Sequence, residues 1–262
     1  MQERTIYVDE TPVRLSEGGS GATLLMIHGW GASRRYWHST IEALAPRARC
    51  VAADLIGHGD SGRPPGAYTV EALADFVARL IETLDAAPVR LMGHSMGGMI
   101  CAQAAALRPA LVERLAIVNA PIRGADALFP KSHVMMWPVV RWAAYLMLQW
   151  GPTRAWMTRD FTHSCPFPPE LRGEAARSDY RPLIESAMSI RDGDVTGLLG
   201  RIKAPTLVIG SDHDRVVRAS QVEAAHRAIG GSQLHVFEET GHCPMLERPE
   251  AFAERVAAFF GL

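Results

Sequence analysis

The sequence has no excess of charge of either sign. Its 262 residues include 27 lysines and arginines and 28 aspartates and glutamates, which gives a net charge of -1 at pH 7. Proteins that bind nucleic acid present clustered positive charge, and this chain has no such cluster and no acidic tail. The composition therefore predicts no nucleic-acid partner. It contains no signal for a particular oligomeric state.

Cysteines are few and widely separated. The four of them form no CxxC pair, and none is spaced from histidine as in zinc sites; they are Cys50, Cys101, Cys165 and Cys243. A disulfide framework and a structural metal are therefore not expected, and no cofactor motif is present. Thiols used in this way suit a reducing compartment, so we expect a cytoplasmic protein.

Long uninterrupted apolar runs are also missing. The first ten residues, MQERTIYVDE, are charged and contain no apolar segment of the kind found in signal peptides. The most apolar long window, residues 134–150, contains Pro138 and Arg141 and is shorter than the roughly 20 residues of a bilayer span. We expect no stable membrane insertion. Hydrophobic residues nevertheless make up 48 % of the chain, which is enough for a large core.

Short apolar runs alternate with helical patterns in two parts of the chain. This alternation predicts a parallel sheet covered by helices on both faces, an α/β fold with its site at the carboxyl ends of the strands. The predicted strands are 23–29, 49–55, 88–92, 114–120, 205–210 and 233–237. The predicted helices are 33–45, 70–85, 96–107, 218–229 and 249–260.

Between these two parts the pattern changes. Residues 121–200 contain no convincing strand, four of the six tryptophans and the proline-rich break CPFPPE at 165–170. This composition indicates a helical insertion. We therefore predict a core made of residues 1–120 and 201–262, with residues 121–200 forming a helical cap.

Three glycines surround one serine in GHSMGG, residues 93–98. Such a segment could be a simple glycine-rich turn without a functional role, a phosphate-binding loop or a nucleophile elbow. Neither GxxxxGK[ST] nor GxGxxG is present, which disfavours the phosphate loop. The match to GxSxG lies between a predicted strand and a predicted helix, the context of an elbow that exposes a serine hydroxyl. Ser95 is therefore the candidate nucleophile.

A serine nucleophile needs a base, and the base needs an orienting group. The motif PTLVIGSDHD places Asp212 and Asp214 after one predicted strand, and GHCPMLERP places His242 after the next. The order serine, aspartate, histidine is that of elbow-type hydrolases. A metal site made of Asp212, His213 and Asp214 is disfavoured because alternate residues of one short turn seldom converge on an ion.

Together with the HGWG loop at 28–31 and DLIGHGDSGRP at 54–64, these motifs resemble the α/β-hydrolase superfamily over nearly the whole chain. The chain is most similar to short-capped carboxylesterases, the group that includes pimeloyl-carrier-protein methyl esterases, haloperoxidase-type esterases and meta-cleavage C–C hydrolases. The resemblance implies an α/β-hydrolase fold, a mostly parallel twisted sheet flanked by helices with an inserted helical cap.

The resemblance assigns roles to individual residues. Ser95 matches the nucleophile and His242 the general base. The acid in the family follows P-x-L-x-x-x-G-x-x-D, and counting from Pro205 selects Asp214; the glycine has moved to Gly210, and counting from it would select His213. We take Asp214 as the acid and Asp212 as a carboxylate that caps loop amides.

The family's oxyanion hole uses two backbone N–H groups. Here they belong to Trp30 and Met96, and because the hole uses backbone groups, the identity of the Trp30 side chain is free to shape the pocket. The other polar residues of these motifs are expected to have structural and not catalytic roles. His28 is expected to brace its loop, His94 to pack or form a hydrogen bond, and Asp54 to support a turn. Cys243 follows His242 but has no second base.

The cap supplies the only indication of substrate. Its tryptophans and methionines are expected mainly to pack against the core, with some lining the site. We take Trp137, Trp142 and Met135 as candidate pocket residues. An apolar lining favours a small-molecule ester with an acyl chain or aromatic group of modest size. Docking on a membrane is less favoured, because no basic face accompanies these residues.

Ester hydrolysis is the leading prediction for the reaction. Dehalogenases and epoxide hydrolases of this fold use aspartate at the elbow, so Ser95 argues against both. C–C hydrolases generally have tryptophan after the catalytic histidine, where this chain has Cys243. Thioesters and lactones would use the same groups. A receptor without turnover on the same scaffold is the non-enzymatic alternative.

Overall fold

In the part of the chain that the structure describes, eight strands form one sheet. The computed structural model describes residues 1–126, 171 and 174–262. The strand order across the sheet is β1-β2-β4-β3-β5-β6-β7-β8. The strands, numbered along the chain, are β1 (Gln2–Val8), β2 (Thr11–Gly18), β3 (Thr23–Ile27), β4 (Arg49–Ala53), β5 (Val89–His94), β6 (Val112–Val118), β7 (Thr206–Ser211) and β8 (Gln233–Phe237).

Strands β3 to β8 pair in parallel, and β2 runs antiparallel to both of its neighbours, β1 and β4. The mostly parallel sheet predicted from the sequence is thereby confirmed. Each of the six predicted strands is present, with ends that differ from the prediction by a few residues. Because the six are parallel, their carboxyl ends meet at one edge, where loops can assemble a site.

Helices cover both faces of this sheet. Those of the described residues, numbered along the chain, are α1 (His38–Leu44), α2 (Val70–Thr83), α3 (Met96–Leu107), α4 (Glu174–Arg177), α5 (Tyr180–Asp192), α6 (Thr196–Leu199), α7 (Ala219–Ala228), α8 (Pro244–Glu247) and α9 (Pro249–Phe260). The predicted helix 33–45 is divided: Arg34–Trp37 forms a 3-10 turn before α1, and Ser33 caps that turn by accepting from the Arg35 N–H.

Strands β3 to β7 each contribute side chains to two separate cores. In β3, for example, Leu25 and Ile27 face α2 and α3, whereas Leu24 and Met26 face α1 and α9. All five residues of β3 are buried, as expected for a strand covered on both faces. Burial of apolar side chains on both faces contributes about 25 cal/mol per Å² and is the main force that fixes the strand register.

The N-terminal hairpin of β1 and β2 was not predicted from the sequence. Its tight turn places Asp9 and Glu10 at positive φ, as a two-residue type I′ turn requires. Its buried apolar side chains, such as Val13 and Leu15, belong to one of the two cores, while Tyr7 is exposed. Charged residues interrupt the apolar pattern of this half-exposed edge, so the sequence showed no clear strand there.

The predicted cap, residues 121–200, lies largely outside the described residues. Its described part contains α4, α5 and α6 and an isolated bridge between Arg123 and Asp194. The division of the chain into a core of 1–120 and 201–262 and a cap therefore stays a prediction.

A buried arginine ties the hairpin to the parallel sheet. The Arg34 side chain is fully buried and donates to Asp54 Oδ2 (2.5 Å), Asp60 Oδ2 (3.0 Å) and Glu3 Oε2 (2.9 Å). Asp54, which is also fully buried, further accepts from the backbone N–H groups of Arg34 and Asp60. Asp54 is thus the internal anchor of this network, and Glu3 is its partly exposed outer member.

Replacing Asp54 and Glu3, one at a time, by the corresponding amide should show how much each carboxylate contributes to stability. We expect Asp54→Asn to lower the free energy of unfolding by about 3–5 kcal/mol, because it leaves a buried guanidinium without its main counter-charge. The matched control Glu3→Gln should lower it by about 1 kcal/mol or less, because Glu3 is partly solvated. Urea unfolding measures both. Equal losses in the two variants would contradict this account of the network.

Candidate active site

Ser95 lies at a sharp turn between β5 and α3. Its backbone has φ 53° and ψ -120°, a region that side-chain-bearing residues rarely occupy. The turn is possible because glycines flank it. A Cβ on Gly93 would overlap the Gly97 carbonyl, and one on Gly97 would lie 2.5 Å from the carbonyl oxygens of Ile27 and His28. The strand–elbow–helix context predicted for GHSMGG is confirmed.

The loop after β3 packs directly against this elbow. A Cβ built on Gly29 would lie 3.1 Å from the Ser95 Cβ, so the backbone that leads to Trp30 runs beside the serine. Met96 follows Ser95 as the first residue of α3. The first N–H groups of a helix have no partner within the helix and favour negative charge. The loop with Trp30 and the helix start at Met96 therefore both lie next to Ser95.

Among the three residues considered for the acid position, Asp212, His213 and Asp214, it is Asp214 that contacts His242. Its Oδ2 lies 2.8 Å from His242 Nδ1. Its Oδ1 accepts from the backbone N–H groups of Val216 (2.7 Å) and Val217 (2.9 Å), so the carboxylate is fixed at both oxygens. A carboxylate accepts, so Nδ1 of His242 carries the proton and Nε2 is left as the basic nitrogen.

Asp212 and His213 have other partners. Asp212 Oδ1 accepts from the Thr240 N–H (3.2 Å), as predicted for a carboxylate that caps loop amides. The backbone hydrogen bond from Glu239, with that from Thr240, lowers the pKa of Asp212. The His213 side chain is exposed, and its backbone N–H donates to the Thr240 carbonyl (3.0 Å). Both residues therefore connect the β7 loop to the loop of His242.

Glu247 holds the His242 loop from one side. Its carboxylate accepts from the N–H groups of Gly241 (2.7 Å) and Cys243 (2.9 Å), the two residues that flank His242. Glu247 ends the short helix α8, one turn beyond the histidine. Glu247 lies within the motif GHCPMLERP, and the motif alone did not predict this role. Its spacing of five residues from His242 was the signal available.

Two side chains hold the loop from the other side. His94 Nε2 lies 2.9 Å from the His242 carbonyl oxygen, and Asn119 Nδ2 lies 3.0 Å from the same oxygen. The hydrogen bond predicted for His94 is thereby observed. Asn119 was missed, because a single asparagine near the end of the predicted strand 114–120 belongs to no motif. Both side chains are buried, and neither is more than 3 % exposed.

The buried histidines of the neighbouring loops are neutral. His28 Nε2 accepts from the Leu55 N–H (3.0 Å), and Nδ1 donates to the Gly29 carbonyl (2.8 Å), so His28 braces its loop as predicted. Burial lowers the pKa of His28 to about 4. Burial, with the neighbouring His28, lowers the pKa of His58 to about 3. Neither ring is charged near neutral pH.

The Trp30 side chain has a hydrogen-bond partner outside its own loop. Its indole Nε1–H donates to the Leu183 carbonyl (2.9 Å) in α5. This bond connects the loop beside Ser95 to a helix of the predicted cap. The sequence could not show it, because residues 153 positions apart are involved. Trp30 therefore has a defined side-chain partner in addition to its predicted backbone role.

Three predicted pocket residues, Trp137, Trp142 and Met135, lie outside the described residues. Within the described ranges, no group of three or more histidine, cysteine, aspartate or glutamate side chains could hold a metal ion. In the same part of the chain, no helix combines the length and apolar character of a membrane span. Cys50, Cys101 and Cys243 are buried.

Comparison with known proteins places this geometry in a family. The model of the alpha/beta hydrolase family matches residues 24–255. The chain is 28% identical over 239 residues to pimeloyl-[acyl-carrier protein] methyl ester esterase of Neisseria meningitidis, covering 87% of this chain and 73% of that protein. It is 26% identical over 258 residues to (E)-2-((N-methylformamido)methylene)succinate hydrolase of Acinetobacter baylyi, covering 93% and 92%.

A solved structure agrees with these relatives. The crystal structure of a hydrolase from Pseudomonas aeruginosa has a TM-score of 0.84 and 27% identity, covering 99% of this chain and 98% of that one. The fold predicted from the motifs is thus confirmed. The family model spans most of the described core, including the elbow and the loops of Asp214 and His242. The chain belongs to the alpha/beta hydrolase family.

Proposed function

We propose that this protein is a serine hydrolase that cleaves carboxylic esters of small to medium acyl or aromatic substrates through an acyl-enzyme. One observation is central to the proposal. The His242–Asp214 pair, joined at 2.8 Å, lies at the same edge of the sheet as the strained elbow of Ser95. A base oriented by a carboxylate, together with a serine at such a turn, is the arrangement of many acyl-transfer enzymes.

In the proposed mechanism His242 acts first as a base. Its Nε2 takes the proton of the Ser95 hydroxyl while Oγ forms a bond to the ester carbonyl carbon. The imidazolium, stabilised by Asp214, then gives that proton to the departing alcohol as the C–O bond breaks. Water attacks the acyl-enzyme in the second half of the reaction, with His242 as base again. The acid is released and Ser95 regains its proton.

The tetrahedral intermediates need donors for a negatively charged oxygen. We propose the backbone N–H groups of Trp30 and Met96 for this role. The support is positional: the Gly29–Trp30 backbone lies beside Ser95, and Met96 begins α3, whose N-terminus favours negative charge. The bond from the Trp30 indole to Leu183 restrains this loop, so the donor would be held in place before substrate binds.

Residues 121–200 are proposed as a cap over Ser95. The support comes from α5, which contacts the core at several points. It binds Trp30 through the Leu183 carbonyl, and its Glu185 and Ser189 side chains accept from the N–H groups of Tyr68 (3.2 Å) and Val70 (2.8 Å). Trp137, Trp142 and Met135 would supply the apolar lining that favours acyl or aromatic groups.

The relatives act on different substrates, so the bond that is cleaved must be tested. Thioesters and lactones would react through the same serine and base. A C–C hydrolase is less favoured because Cys243 follows His242 where those enzymes generally have tryptophan. A small-molecule receptor would keep the geometry without turnover. A panel of esters, a thioester, a lactone and a meta-cleavage dienoate separates these possibilities.

Removing the nucleophile is the first test. We expect the parent to hydrolyse short p-nitrophenyl esters, with a chain-length preference that reports the size of the acyl site. Ser95→Ala should lower kcat by about four orders of magnitude or more, because no acyl-enzyme can form. Unchanged esterase activity in the variant, or none in the parent on any member of the panel, would overturn the proposal.

Changing the acid tests the assignment of Asp214. We expect Asp214→Asn to lower kcat by about three to four orders of magnitude, since the amide cannot stabilise the imidazolium and favours the wrong tautomer. The matched control is Asp212→Asn two residues away, whose carboxylate caps loop amides and should matter less than about tenfold. Steady-state kinetics on the preferred ester measures both. A larger loss in the Asp212 variant would reassign the acid.

A further inference from the structure

Asn119 is the single asparagine of the 262-residue chain. It follows the last residue of β6 and is fully buried at the carboxyl edge of the sheet. Its φ of 42° lies in the left-handed region, which asparagine tolerates better than most residues. The backbone is held there because the Asn119 N–H donates to the Ile209 carbonyl of β7 (2.9 Å).

The side-chain amide of Asn119 points at the loop of the proposed base. Nδ2 lies 3.0 Å from the His242 carbonyl, 3.3 Å from the Gly241 carbonyl and 3.0 Å from Ser211 Oγ. Two of these three acceptors are the backbone oxygens of His242 and of the residue before it. Asn119 therefore connects β6 and β7 to the backbone that carries the imidazole.

His94 supplies a second donor to the same oxygen. A carbonyl can only accept, so His94 Nε2 carries a proton and donates to His242 at 2.9 Å. Burial, with the neighbouring His242, lowers the pKa of His94 well below its usual value, so the ring stays neutral. His94, which precedes Ser95, and Asn119, which follows β6, thus both donate to the backbone carbonyl of His242.

These donors complete a clamp on the His242 loop. Glu247 binds the N–H groups on either side of the histidine, while Asn119 and His94 bind the carbonyls. Asp214 fixes the ring itself at Nδ1. An imidazole whose backbone can move would lose its alignment with Ser95, and a displacement of about 1 Å can lower a rate by about a hundredfold.

We infer that Asn119 is a positioning residue for His242: its amide donates to the carbonyls of Gly241 and His242 and sets the place from which the base reaches Ser95. This inference rests on the proposed function. An asparagine is needed here because it has a donor group at the right length and accepts a left-handed backbone. Aspartate has the same shape but would place an oxygen against the carbonyl oxygens of Gly241 and His242, which can only accept.

The test is Asn119→Asp in the full chain, with the matched control Gln221→Glu. Gln221 is also a buried amide, but its Oε1 accepts from the N–H groups of Ile122 and Arg123, so a carboxylate keeps both bonds. We expect Asn119→Asp to lower kcat on the preferred ester by about tenfold to a hundredfold, with KM changed by less than about threefold. The control should keep the parent's kcat.

A spectroscopic measurement reads the position of the base without turnover. The Nδ1 proton of His242, held by Asp214, gives a far-downfield proton NMR signal. We expect Asn119→Asp to shift or broaden this signal and Gln221→Glu to leave it in place. Loss of kcat with an unchanged signal and a matching rise in KM would overturn the inference in favour of a purely structural role.

Asn119→Gly decides the question if Asn119→Asp does not fold. Glycine adopts a positive φ without strain and removes the amide, so this variant should fold and lose kcat in the same direction. Parental kcat in either folded variant would overturn the inference while the proposed function stands. If the parent hydrolyses no ester, the proposed function fails and the NMR comparison alone decides the role of Asn119.

Discussion

The backbone of Ser95 is held at φ 53°, a conformation that costs a side-chain-bearing residue about 1–3 kcal/mol. Packing on every side maintains it. The Ser95 N–H donates to the Val118 carbonyl at the end of β6, and the glycines beside it allow α3 to touch the β3 loop. The rest of the site depends on this turn, since it brings the serine out of the strand and up to the edge where the other loops end.

That edge exists because β3 to β8 are parallel. The loops after β5, β6, β7 and β8 contribute Ser95, Asn119, Asp214 and His242 in turn, and hydrogen bonds join each loop to the next. The two apolar cores on opposite faces fix the strands, and the strands fix where the loops begin. The register of the sheet therefore sets the approximate positions of the site residues, and the hydrogen bonds between their loops fix the final geometry.

Motifs with strict local geometry could be predicted from the sequence. The elbow, the strand ends before Asp214 and His242, and the alternation of strands and helices all depend on residues close together in the chain. The first hairpin was missed because its exposed edge is charged. The hydrogen bonds of the Asn119 side chain and the bond from Trp30 to Leu183 were missed because each joins distant segments of the chain, which no local pattern encodes.

The central claim is that Ser95 is a nucleophile activated by His242. Mass spectrometry of the protein after reaction with a fluorophosphonate probe tests it most directly, because the probe requires an activated serine and no knowledge of the substrate. The account predicts a single adduct on Ser95 that forms much more slowly in a His242→Gln variant. An unmodified Ser95, or an adduct that forms equally fast without the histidine, would contradict it.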